Sequence, residues 1–185
     1  MRSDATRNLE LVLKTSARLL ADDPSASIAA IAAAANVDRR TIYRRFTTRE
    51  ELLAAVHSAR YKAVERAIDN ARLHEAPVAV ALHLYVEGII AVNRAWPVVM
   101  RSVLADGTVT EHRSRLVKEV DTFLMRAVDE GLLRADVPAG WINGVLPLLM
   151  LQAAEQLPDL TAAQAADLVV DTLMRGLGAA HPNAA

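Results

Sequence analysis

Cysteine is absent from the 185 residues. That excludes disulfide cross-links, a thiolate nucleophile and any Cys-ligated zinc or iron–sulfur centre. Aromatic residues make up only 4% of the chain, two Trp, three Tyr and two Phe, so a core must be built mainly from aliphatic side chains. The histidines, His57, His74, His83, His112 and His181, form no H-x-x-x-H or H-E-x-x-H pair, and no glycine-rich phosphate loop occurs. Ser102 and Ser114 carry no local triad signature. These absences argue against an enzyme and leave no metal or cofactor to expect. The longest uncharged run, Val137 to Ala154, is interrupted by Pro138, Gly140, Asn143, Gly144 and Pro147. It falls short of the roughly 20 apolar residues of a membrane helix and reads as buried protein helix. The polar start, Met-Arg-Ser-Asp-Ala-Thr-Arg-Asn, leads into an amphipathic stretch, so no secretory signal is expected. The expectation is a soluble, cytoplasmic protein with no membrane partner.

The chain is 52% hydrophobic, and its length suits one compact unit or one unit with a small accessory module. The formal net charge of -1 hides an asymmetry. Residues 1–49 carry nine basic and five acidic side chains, whereas residues 76–185 carry eight basic and twelve acidic ones. A basic head on an acidic body directs attention to a polyanion partner at the N-terminal end.

Alternating strand patterns are missing, and Ala, Leu, Arg and Glu favour helix throughout. About nine helical segments are predicted, making the protein all-α. The first runs from Thr6 to Ala21, with Leu9, Val12, Leu13, Ala17 and Leu20 on one stripe, and Asp22-Asp23-Pro24 ends it. Ser27 caps a second that turns Ile28, Ile31, Ala32 and Ala35 inward. Asp38 caps a very short third, Arg39 to Phe46, and Thr48 a fourth to about Leu73, with Glu50 and Glu51 in its first turn, where the helix dipole favours acids. A fifth, from Pro77 to Ala95, is apolar on nearly every face and is expected to be covered all round. A short sixth follows Trp96-Pro97 and ends near Ala105. The seventh spans Val109 to Leu132, and the last two run from Trp141 to Leu157 and from Thr161 to Gly176.

The stretch Ser27 to Arg49, SIAAIAAAANVDRRTIYRRFTTR, is the most informative. Two short helices are joined by Asn36-Val37-Asp38, and Asn tolerates the left-handed backbone that a sharp turn requires. Ile28, Ile31 and Ala32 would pack against Val37, Ile42 and Phe46, the small Ala32 allowing a close helix crossing. With Ile42 and Phe46 inward, Arg39, Arg40, Tyr43 and Arg44 face out, flanked by Thr41 and Arg45. Four arginines in seven residues repel one another unless an anion is supplied. A phosphate backbone supplies it, and an arginine fork can pair with guanine in the major groove. Arg49 would lie at the edge of this surface, and Ser27 with the free N–H groups at its helix start can take a phosphate. The combination reads as a DNA-binding helix-turn-helix.

The sequence Ser27-Ile28-x-x-Ile31-Ala32-x-x-Ala35-Asn36-Val37-Asp38, followed by Ile42-Tyr43-x-x-Phe46 and Arg49-x-x-Leu52, resembles the N-terminal signature of tetracycline-repressor-like (TetR) regulators. The remaining helices resemble that family in architecture. The resemblance implies a three-helix DNA-binding domain, residues 1–50, and a helical effector-binding and dimerisation domain, residues 51–185. It implies repression of transcription, relieved by a ligand. It puts Ser27, Thr41, Tyr43, Arg45 and Arg49 at phosphate-facing positions and Arg39, Arg40 and Arg44 nearest base edges. Asn36 stands where the family usually has a turn glycine and Asp38 where it usually has a serine cap. Ala29 and Ala30 leave the start of the second helix without polar side chains, which shifts base reading to the arginines.

One short recognition helix reads few base pairs, so a homodimer on a palindromic double-stranded operator is expected. Leu148, Leu149, Leu151, Ala153, Ala154 and Leu157, with Ala165, Ala166, Val169, Val170, Leu173 and Leu177, exceed one core stripe. They are the candidate interface, two helix pairs forming an intersubunit four-helix bundle. An effector pocket is expected among the fourth to seventh helices. Its candidate residues are Tyr85, Trp96, Met100, Phe123, Met125 and Trp141, with His83, Glu87, Asn93 and Arg94 as nearby polar groups. A lining that is mostly aliphatic points to a small, largely apolar effector. Ligand binding would alter the fifth to seventh helices, shift the fourth, and change the separation of the two recognition helices. The alternative is an all-helical dimeric adaptor without sequence-specific DNA binding, which leaves the arginine face unexplained.

Overall fold

The computed structural model describes residues 2–97, 110–138 and 140–177. Among these residues there are eight helices and no strand: α1 (Arg2–Asp22), α2 (Ile28–Ala34), α3 (Arg39–Arg45), α4 (Arg49–Ala71), α5 (Val78–Ala95), α6 (Thr110–Asp129), α7 (Trp141–Gln156) and α8 (Ala162–Leu177). The fold is all-α, as the residue pattern requires. The expected short helix between Pro97 and Ala105 lies outside the described residues.

Capping residues set the helix boundaries. The Ser27 hydroxyl accepts the Ala30 N–H at 3.2 Å and starts α2. Asp38 Oδ1 accepts the Arg40 N–H at 2.7 Å and starts α3. At α4 the Thr48 hydroxyl accepts the Glu51 N–H at 3.2 Å, while Glu51 reaches back to the Thr47 N–H at 2.7 Å. This reciprocal arrangement satisfies N–H groups on both sides of the helix start. Thr161 and Gln164 repeat it before α8.

The chain forms two compact units, one made of Met1–Ala63 with Ala95–Thr110 and the other of Val64–Arg94 with Glu111–Ala185. The division therefore falls inside α4, whereas the sequence reading divides the chain at residue 50. Leu52 and Val56 explain the difference: they are buried in the first unit, so the start of α4 completes its core. In that unit, Val12, Leu13, Ala17 and Leu20 form the buried stripe of α1, and α2 packs on both α1 and α3.

In the second unit α5 buries Val78, Ala81, Leu82, Tyr85, Val86, Ile89, Ile90, Val92 and Asn93. By length and composition this helix could cross a membrane. Here its apolar residues make the core of the unit. It is not covered all round, because Val80 and Leu84, one turn apart, are exposed. Close packing of α5 on α4 depends on Gly88, where a Cβ would stand 3.0 Å from the Ala67 Cβ. Two arginines fasten the corners of the unit. Arg126 donates to the Leu73 and Ala76 carbonyls at 2.8 and 3.0 Å, and Arg94 to the Leu157 and Leu160 carbonyls at 2.8 Å each.

Helices α7 and α8 pack as a consecutive pair. Of the residues offered as a dimer face, Ala153, Ala165, Ala166, Val169 and Leu173 are buried within the single chain and belong to its core. The side chain of Leu177 lies outside the described residues. What α7 and α8 leave outside is Trp141 (54% exposed), Leu148 (62%) and Leu168 (50%).

Candidate nucleic-acid interface

The link between α2 and α3 is a compact helix-ending turn. Asn36 has φ 51°, the left-handed backbone its position requires. Its N–H bonds the Ala33 carbonyl at 3.1 Å, and the Val37 N–H bonds that of Ala32 at 3.0 Å. These two bonds satisfy carbonyls that the end of α2 would otherwise leave open. Ile42 and Phe46 are buried, as are Ile28, Ile31 and Ala32 of α2, the helix on which α3 packs. That anchoring fixes which side of α3 faces solvent.

Arg39, Arg40, Thr41, Tyr43, Arg44 and Arg45 are all exposed. Among the described residues, no carboxylate forms an ion pair with any of these four arginines. Asp38, next to them in sequence, is engaged at the helix start through the Arg40 N–H. The Arg39 guanidinium lies over the Tyr43 ring, 5.1 Å from its centre, with Nη2 at 3.4 Å from the phenol oxygen. Ser27 is exposed at the start of α2, and its oxygen is occupied as the helix cap. The arrangement is a dense cationic surface on a short helix, unpaired with any carboxylate among the described residues and suited to phosphate and base edges.

Arg49 differs from the others. It is half-buried, and its guanidinium donates to the Pro24 carbonyl and, at 3.4 Å, to that of Ala26. It therefore fastens the α1–α2 link, a role that its place beside the arginine surface conceals.

The second unit gathers the candidate effector residues only in part. Tyr85 and Phe123 are buried there. Burial, with the Asp121 carboxylate nearby, pushes the Tyr85 phenol well above its ordinary range. Asp121 and Asn143, which sequence reading missed, bond to each other between α6 and α7. The visible signal is Asp121, an acid two positions before Phe123 of the Phe123-Leu124 core pair. His83 Nε2 lies 2.8 Å from Asp167 Oδ1, with Glu87 at 4.0 Å from Nδ1, a partly exposed charged cluster. Arg94 is committed to the carbonyls at the α7–α8 corner. Met125 (59% exposed) and Trp141 face solvent and line no interior. Trp96 belongs to the first unit, where the Lys14 ammonium lies 5.8 Å from the ring centre. Met100 lies outside the described residues. No group of three or more metal-ligating side chains occurs among the described residues.

A helix-turn-helix with a cationic second helix, on an all-helical body, defines a DNA-binding transcription regulator. Residues 12–56 match the family model of bacterial regulatory proteins, tetR family. Among curated proteins it is 29% identical, over 177 residues, to the HTH-type transcriptional repressor LfrR of Mycolicibacterium smegmatis, covering 92% of this chain and 90% of that one. A crystal structure of LfrR from Mycobacterium smegmatis in complex with proflavine superposes with a TM-score of 0.73 at 27% identity, covering 94% of this chain and 97% of that one. The ketosteroid transcriptional regulator KstR2 of Mycobacterium tuberculosis has the same fold, with a TM-score of 0.77 at 15% identity over 94% and 96% of the two chains.

Proposed function

We propose that the protein is a homodimeric repressor that occupies a palindromic DNA operator and leaves it when a small, largely apolar effector binds the second unit. The carrying observation is the α3 surface, with four exposed arginines that meet no carboxylate among the described residues. Repression is supported by the likeness to LfrR, and effector binding by the proflavine complex of that relative. A second copy would cover Trp141, Leu148 and Leu168, an apolar set on consecutive helices. Two recognition helices set about 34–36 Å apart, or a multiple of that, would then meet successive major grooves on one side of a duplex. Helix α4 contributes residues to both units, which makes it the natural carrier of an effector-dependent change. The effector must bind the DNA-free state more tightly than the DNA-competent one. A DNA partner supports a cytoplasmic location for the working protein.

Fluorescence-anisotropy binding to a pool of random duplexes, at low and physiological salt, tests this reading. A palindromic site should be enriched, with binding lost when Arg44→Ala and Arg45→Ala are combined. Each phosphate contact should contribute about 0.9 to the log–log salt slope. Equal binding by the double variant would reject the repressor. Compounds that release the selected site then identify the effector class.

A further inference from the structure

The exposed side chains of α3 are not equivalent. At about 100° per residue, with Ile42 and Phe46 marking the buried side, Arg44 points directly away from the unit and Arg40 lies one turn earlier on the same outward line. Tyr43 and Arg39 fall together on one flank, and Arg45 on the other. The flanking pair is already engaged: Arg39 lies 5.1 Å from the Tyr43 ring centre and within 3.4 Å of its hydroxyl oxygen. The side chains of Arg40 and Arg44 form no hydrogen bond or ion pair among the described residues. Their planar forks are unengaged by any described residue, and the surface depression lined by Asp38, Arg39, Arg40 and Tyr43 opens beside them.

We propose that Arg40 and Arg44 form the sequence-reading pair, each pairing bidentately with O6 and N7 of a guanine, and that Arg39 is a positioning residue holding Tyr43 for a backbone phosphate. This rests on the operator-binding reading above and specifies the DNA it takes. The two arginines are separated by about 6 Å of helix rise, roughly two base steps at 3.4 Å each. The operator half-site therefore carries two G·C pairs about two steps apart. Arg45, on the far flank, meets phosphate and carries no base preference.

In vitro selection from a random duplex library with the full chain tests the assignment, run in parallel with Arg40→Gln, Arg44→Gln, Arg39→Ala and Arg45→Ala. The unaltered protein should select a half-site with two such G·C pairs. Each glutamine variant should lose the guanine preference at one of them, turning toward adenine, and leave the other unchanged. Arg39→Ala and Arg45→Ala should keep the selected sequence and weaken binding to all sequences alike, Arg45→Ala also lowering the salt slope by about 0.9. Replacing either guanine by 7-deazaguanine, which leaves the protein untouched, should cost roughly 5- to 150-fold in affinity. A half-site insensitive to both glutamine variants and to 7-deazaguanine overturns the reading pair while leaving the repressor in place. Loss of base preference in Arg39→Ala overturns its positioning role. No selected sequence at all overturns this inference and the operator-binding reading together.

Discussion

The role of an arginine in this protein is set by what its fork can reach. Arg40 and Arg44 meet no hydrogen-bonding partner among the described residues, whereas Arg49, Arg94 and Arg126 each reach two main-chain carbonyls at a helix corner. Arg49→Ala should lower stability by about 1–2 kcal/mol in urea unfolding, by opening the α1–α2 link. Lysine should not restore it, since one ammonium does not span two carbonyls. Tyr85 gives a pH-dependent expectation. Burial holds its phenol neutral in the folded chain to a pH above the ordinary value. In the unfolded chain the phenol ionises at about pH 10. The contribution is therefore complete below that pH and is lost as pH rises above it, because only the unfolded state releases the proton. Melting curves between pH 9 and 11 should fall less steeply for Tyr85→Phe than for the native chain.

At the scale of elements, the helix-turn-helix was legible in the sequence because its determinants are local. Ser27, Asn36 and Asp38 act on residues within five positions, and the four-residue spacing of Ile42 and Phe46 identifies the buried side. The carbonyl fastenings were not legible: Arg49 acts across 23 to 25 positions and Arg94 across more than 60. Helical spacing could not separate a pocket side chain from a surface one either, and Met125 and Trp141 proved exposed. Nor did the sequence mark Gly88 as special, since its partner Ala67 lies on another helix. Gly88→Val should force α4 and α5 apart and cost about 1–3 kcal/mol, despite valine's better helix propensity. Urea unfolding measures that loss, and Gly88→Ala should fall between the two.

At the scale of the molecule, affinity for a palindrome depends on the number of recognition helices presented together. In the proposed dimer, the apolar side chains left outside by α7 and α8 carry that requirement. Leu148→Asp combined with Leu168→Asp should convert a dimer to a monomer in light scattering after size exclusion, with little change in helix content. Both side chains are at least half exposed, so the single-chain core is spared. Operator affinity of this variant should fall steeply, because one short helix then holds the site alone. A variant that remained dimeric would place the subunit contact elsewhere, the exposed Val80 and Leu84 of α5 being the next surface to examine.

The crowding of Arg39, Arg40, Arg44 and Arg45 on one seven-residue helix also makes α3 a dense target for trypsin, which cuts after basic residues. Those peptide bonds are ones that a bound duplex would shield. The digestion rate at α3, followed by mass spectrometry, thus becomes a label-free gauge of operator occupancy, and an effector that frees the DNA should announce itself as faster cleavage there.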